Sequence, residues 1–170
     1  MMQARINYAQ VDPEVLNTLF GFHKYVVKSR LEQSLSDLVL IRASQINRCA
    51  RCLDMHFKDA LAGGESAERL YSLDAWRETP FYTERERAAL AWTEAVTLLT
   101  DGFVPDAVYV QAREQFSEAE LIGLTMLVIE INAWNRLNVS FRMVPGEYQS
   151  QRKPSAKLNG IPANAEVGNN

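Results

Sequence analysis

Ser117-x-x-Glu120 is a full helix-capping box, and it stands directly ahead of the longest apolar stretch in the chain, Leu121 to Val139. A hydroxyl that accepts from the backbone three residues on, answered by a glutamate reaching back, commits the next residues to an α-helix. The stretch is too polar to span a bilayer, because Glu130, Asn132, Asn135, Arg136 and Asn138 interrupt it. Thr83-x-x-Glu86 repeats the signal ahead of Ala88, Leu90, Trp92, Ala95, Val96 and Leu99, with Asp101-Gly102 as the stop. Asp12-Pro13-Glu14 opens an earlier helix with an N-cap, a proline at the first helical position and an acid in the first turn, and its periodicity runs to about Arg30. Ser34 with Asp37 three residues on reads as an acidic variant of the capping box for a helix ending near Asn47. Ala50 to Leu61 is a third helix closed by Gly63-Gly64, Ser66 to Leu73 and Asp74 to Glu78 are short turns of helix, and Pro105-Asp106 starts one of about ten residues.

No segment alternates apolar and polar residues between hairpin turn pairs. The expected fold is therefore all-α, a bundle of about six to eight helices with the last the most buried. The helical domain is expected over residues 1–145, followed by a polar tail, 146–170, that is mobile or draped on a partner. A length of 170 residues fits one core. A net charge of −3 with basic residues scattered through the helices gives no phosphate-tracking stripe, which sets nucleic acid aside. The start MMQARINYAQ lacks the apolar core of a signal peptide, so a cytoplasmic location away from membranes is expected.

Both cysteines of the chain and one of its two histidines fall within SQINRCARCLDMHFKDA, as Cys49, Cys52 and His56. Three readings compete. Cysteine is often a small buried hydrophobe and histidine a structural hydrogen-bonding group. A zinc site would need a fourth ligand beyond these three, with His23 or Asp37 nearest in sequence, and no second CxxC or HxxxH supplies a matching pair. The third reading is a redox dithiol, and helical geometry favours it. Residues three apart lie on one face with Cα atoms about 5 Å apart, within disulfide reach. His56 is one turn from Cys52, whereas Cys49 is about 10 Å from it along the axis, so the imidazole serves Cys52. The helix dipole, Arg51 and His56, as proton acceptor or imidazolium, can all favour the thiolate. A thioredoxin-like setting is excluded because a helix, and no strand, precedes the motif.

SQIN-x-CA-x-CLDMH-x-KDA, followed by Leu73 to Arg77 (LDAWR), Thr83 to Leu90 (TERERAAL), Glu94 to Thr97 (EAVT) and Ile131 to Arg136 (INAWNR), resembles the alkylhydroperoxidase AhpD-like proteins of the carboxymuconolactone decarboxylase superfamily over about residues 12 to 142. The resemblance implies an all-helical homo-oligomer, a trimer or hexamer, and a thiol peroxidase that needs no cofactor and no metal. It implies that Cys52 attacks a hydroperoxide and becomes a sulfenic acid, that Cys49 closes a disulfide, and that an external dithiol of lipoyl or thioredoxin type reopens it. The relay acid of the related enzymes falls on Asp37, shorter than their usual glutamate, where a dipole-stabilised first-turn acid is the alternative reading. Arg48 replaces the glycine usual before the first cysteine, and Arg51 the histidine or tyrosine usual between the two. A redox-sensing dithiol without turnover is the rival, and a muconolactone-type decarboxylase a weaker one, because relatives with that activity generally lack the cysteine pair.

Overall fold

The capping signals become helix starts wherever the capping side chain reaches the N–H groups of the first turn. Thr83 and Ser117 both complete reciprocal capping boxes, and the Asp12 carboxylate accepts from the Glu14 N–H. Each such cap contributes about 1 kcal/mol. The computed structural model describes residues 3–29 and 31–153. Helices α1 (Tyr8–Val11), α2 (Pro13–Val26), α3 (Gln33–Ile46), α4 (Ala50–Ala62), α5 (Ala67–Tyr71), α6 (Glu84–Thr97), α7 (Asp106–Gln115) and α8 (Glu118–Ser140) follow one another. Two 3-10 segments, Val27–Ser29 and Leu73–Glu78, complete the regular structure, and no strand occurs among the described residues. The fold is all-α, as the periodicity requires.

Some boundaries differ from expectation. The expected end of the first long helix, near Arg30, lies outside the described residues; its α-helical part stops at Val26 and tightens into the 3-10 turn. Ser34 does not cap α3, which starts at Gln33 after Glu32, whose side chain makes no capping bond. Asp37 consequently sits in the second turn, too far in for the first-turn role, and its carboxylate turns inward to accept from Gln33 at 3.0 Å. Helix α6 stops at Thr97, ahead of Leu99 and of Asp101-Gly102.

The most buried helix is α3, and not α8. Leu38, Val39, Ile41 and Ala43 of α3 are all fully buried. Leu35 and Val39 pack with α6, α7 and α8, Leu38 and Ile41 with Trp76 and Leu90, and Ala43 with the cysteines and Ile131. The apolar run of α8 covers more than one face, so Ile122 and Ile129 stay exposed while Leu124 and Val128 are buried. At Gly123 of α8 an added Cβ would lie 2.6 Å from Ser29 Cβ. Alanine normally improves a helix by about 1 kcal/mol over glycine. At this contact Gly123→Ala is expected instead to destabilise the chain by about 1–2 kcal/mol in urea unfolding. A raised midpoint would show that the Ser29 turn yields freely.

Past α8 the chain returns along α4. The Gly146 N–H donates to Asp54 at 3.0 Å and Lys58 Nζ donates to the Tyr148 carbonyl at 3.0 Å. The Tyr148 and Ser150 hydroxyls donate to Asp59 at 2.7 and 2.6 Å, and Arg152 donates to both oxygens of Asp37 at 2.7 Å. The polar stretch expected to be a tail from residue 146 is thus bound to α3 and α4 as far as Arg152, and residues 154–170 lie outside those described.

Candidate active site

The turn between α3 and α4 is held from α8. Asn47 Nδ2 donates to Asn132 Oδ1 and Asn135 Oδ1 at 3.0 and 2.9 Å, and Asn135 returns a bond to Ser44 Oγ at 3.1 Å. Both asparagines of INAWNR therefore serve the turn that presents Cys49. Arg48 has φ +55°, a left-handed conformation that glycine adopts without a Cβ penalty. The other matching segments are scaffolding as well. Glu94 accepts from Trp76 Nε1, Arg77 and Arg42 at 2.8, 2.6 and 2.8 Å, which clamps the Leu73–Glu78 segment to α3 and α6.

Cys49 is the N-cap of α4, and its Sγ accepts the Cys52 backbone N–H at 3.3 Å. The two cysteines are joined as a disulfide with Cα atoms 5.3 Å apart. Both are 1% exposed in total, but only Cys52 faces a cavity, of about 440 Å³. Cys52, Met55, His56 and Asp59 form its α4 wall at one-turn spacing, and Leu127, Glu130, Ile131, Trp134 and Asn138 form the α8 wall. Leu16, Phe20 and His23 of α2 line it as well, with the Phe20 ring 5.8 Å from that of Trp134. The cavity is mostly apolar, with Arg51 and Arg152 among its lining cations.

His56 lines the cavity at 8% exposure, and neither ring nitrogen has a partner among the described residues. Burial pushes its pKa down from 6.5 to about 4, with Asp59 pulling upward and Arg152 and His23 reinforcing the fall. The imidazole is therefore neutral at pH 7, and the imidazolium considered from the sequence is opposed by burial. Between about 4 and about 6.5 the unfolded chain binds more protons than the folded one, so His56 makes stability rise with pH across that window and level off above it. The expected span is about 3 kcal/mol, and His56→Leu should remove it from a series of urea midpoints. Identical pH slopes in both proteins would mean that His56 titrates normally.

Asp37 is not on the cavity wall. It is 3% exposed and bonded to Arg152 and Gln33; burial raises its pKa while those bonds pull it back. Sequence reasoning missed three contributors. Asn138 Nδ2 donates to Cys52 Sγ at 3.3 Å, the Tyr8 hydroxyl donates to Asn138 Oδ1 at 2.8 Å, and Arg152 lies on the wall. Asn138 had left a trace: Glu130, Trp134 and Asn138 recur every four residues, which puts a polar group on an inward stripe of α8. Glu130 sits 2.9 Å from His23 Nδ1, which accounts for the second histidine.

A family model for carboxymuconolactone decarboxylases matches residues 13–95, from α2 through most of α6 and across the cysteine turn. A crystal structure from Agrobacterium tumefaciens, a candidate antioxidant defence protein AhpD, is 39% identical and superposes with a TM-score of 0.83 over 86% of this chain and 100% of that one. The chain belongs to the carboxymuconolactone decarboxylase family, as an AhpD-like member. Within sequence reach of this AhpD-like protein is YdfG of Bacillus subtilis (strain 168), 37% identical over 139 residues, which are 82% of this chain and 95% of that one. The debrominase Bmp8, solved as a cysteine-to-alanine variant in complex with 2,3,4-tribromopyrrole, shares the fold at 18% identity, with a TM-score of 0.72 over 81% of this chain and 74% of its own.

Proposed function

We propose that this AhpD-like protein is a thiol peroxidase that reduces organic hydroperoxides through a Cys49–Cys52 dithiol cycle. One observation carries the reading: Cys52 meets an apolar cavity beside an unpartnered neutral imidazole, while Cys49 stands behind it. His56 takes the Cys52 proton as the thiolate attacks the peroxide O–O bond, and returns it to the departing oxygen. Cys52 becomes a sulfenic acid and the hydroperoxide leaves as an alcohol. The Cys49 thiolate then attacks that sulfur, water departs, and the disulfide forms. An external dithiol, lipoyl- or thioredoxin-type, attacks Cys52 from the cavity, expels Cys49 as thiolate at the helix N-terminus, and is itself oxidised. Asp37 acts in this scheme by holding Arg152 on the wall beside His56.

A cavity of about 440 Å³ with aromatic walls suits an alkyl or aryl hydroperoxide better than hydrogen peroxide. The exposed Ile122 and Ile129 on α8 suit the homo-oligomer, trimer or hexamer, and no described helix is long and apolar enough to cross a membrane. A cytoplasmic, reducing location suits a dithiol that cycles. The test is a free-thiol count before and after one equivalent of cumene hydroperoxide, followed by turnover with dihydrolipoamide. Loss of both thiols together with sustained alcohol formation is expected. Oxidation that halts after one equivalent despite the reductant would make the pair a redox switch. Bromide release from 2,3,4-tribromopyrrole faster than alcohol formation would move the assignment to dehalogenation.

A further inference from the structure

Two sulfurs lie at the start of α4, and each has its own hydrogen-bond donor. The backbone N–H that α4 directs at a sulfur goes from Cys52 to Cys49 Sγ. Cys52 Sγ receives instead the side-chain amide of Asn138, 86 residues away on α8. The Tyr8 hydroxyl donates to the amide Oδ1 at 2.8 Å, and in that orientation Nδ2 faces the sulfur. Asn138 and Tyr8 are each 8% exposed, and the Tyr8 ring is fixed against Phe141 with centroids 5.9 Å apart.

The other groups around the cavity are poorly suited to hold a negative charge on Cys52. Burial keeps His56 neutral, and Asp59 carries the wrong sign. Arg152 is committed to Asp37, and Arg51 keeps its charge on the cavity wall but directs Nη1 to the Val144 carbonyl at 2.9 Å, so it acts on the sulfur through its field and not through a hydrogen bond. Glu130 and His23 are paired with each other at 2.9 Å. The hydrogen bond that the Cys52 sulfur itself receives comes from a neutral donor in a buried setting. An N–H to sulfur bond is weak for a disulfide or thiol and becomes charge-assisted for a thiolate, so it favours ionisation.

We propose that Asn138 is the donor that stabilises the Cys52 thiolate, and that Tyr8 is the positioning residue that orients it. Burial holds the Tyr8 ionisation above its usual range, so the hydroxyl stays a donor throughout neutral pH. The proposal rests on Cys52 being the ionising thiol of the peroxidase reading, but it needs no peroxide for its test.

The experiment uses the full chain with Cys49→Ser, so that Cys52 is the sole thiol, and follows iodoacetamide alkylation against pH. With Asn138→Leu the apparent thiol pKa is expected to rise by about one unit or more, the size of a lost charge-assisted bond. Asn138→Asp should raise it further by placing a carboxylate at the sulfur. Tyr8→Phe should shift it the same way by a smaller amount, and its retained ring keeps the packing against Phe141. Limiting alkylation rates at high pH should rise by about threefold at most for each unit of pKa, since a more basic thiolate is the better nucleophile and is no less reachable once formed. An unmoved midpoint in all three variants overturns the proposal, as does a rate change of equal size at every pH, which would mark a purely structural role. If the wild-type dithiol ignores hydroperoxides while the midpoints shift as stated, the peroxidase reading fails and this one stands.

Discussion

Cys52→Ser is expected to abolish hydroperoxide reduction, leaving the uncatalysed rate, while the helical content measured by circular dichroism is unchanged. The loss is total because Cys52 is the cysteine that lines the cavity; Cys49 occupies the N-cap behind it and cannot meet a substrate there. A serine hydroxyl is a far weaker nucleophile than a thiolate and forms no disulfide with Cys49. Serine nearly matches cysteine in size, so the packing against Ala43 and Ile131 survives. Closing so short a loop contributes about 2 kcal/mol to the oxidised protein by the chain-entropy estimate, and the reduced wild type lacks that contribution as well. Cys49→Ser should differ in kind: one equivalent of peroxide is consumed and a sulfenic acid persists at Cys52, which a dimedone-type probe labels. Retained turnover in the Cys52 variant would remove the assignment of the nucleophile.

Arg152→Met is expected to be strongly destabilising although the side chain lies outside the core. It strands Asp37, whose carboxylate is 3% exposed and accepts two Arg152 bonds at 2.7 Å, and it withdraws the cation 4.0 Å from Asp59. Removing one partner of such a pair costs about 3 kcal/mol, because the charge remains buried with only the neutral Gln33 amide to answer it. For a chain of this length that is about 10 °C in Tm. Much of the loss should return in Asp37→Asn with Arg152→Met, since the stranded charge is then gone. A cost below about 0.5 kcal/mol would mean that solvent screens the pair and that the stretch from Gly146 to Arg152 is only loosely held. Equal losses in the single and double variants would place the effect in Arg152 packing and not in its charge.

Much of the helical architecture was legible because its signals are local. Capping boxes at Thr83 and Ser117, the Asp12-Pro13 start and the Gly63-Gly64 stop all act within one turn of chain, and all recur in the structure. Ser34 misled for the same reason: it resembles a cap, but the inward pull on Asp37 from Gln33 and Arg152 depends on a residue 115 positions away. The greater burial of α3 was also illegible, since apolar periodicity reports which residues turn inward and not which helix is surrounded.

From sequence alone came the all-α class, the Cys49, Cys52 and His56 cluster, and the disulfide reach of the two sulfurs, because helical spacing converts three and four residues directly into distances and faces. Tertiary structure alone decided which sulfur meets the cavity, why His56 is neutral, and that Asn138, Tyr8 and Arg152 come to lie around Cys52 and its cavity. Those properties arise from desolvation and from hydrogen bonds between distant segments, and both exist only once α1, α4, α8 and the chain beyond α8 close around the same space.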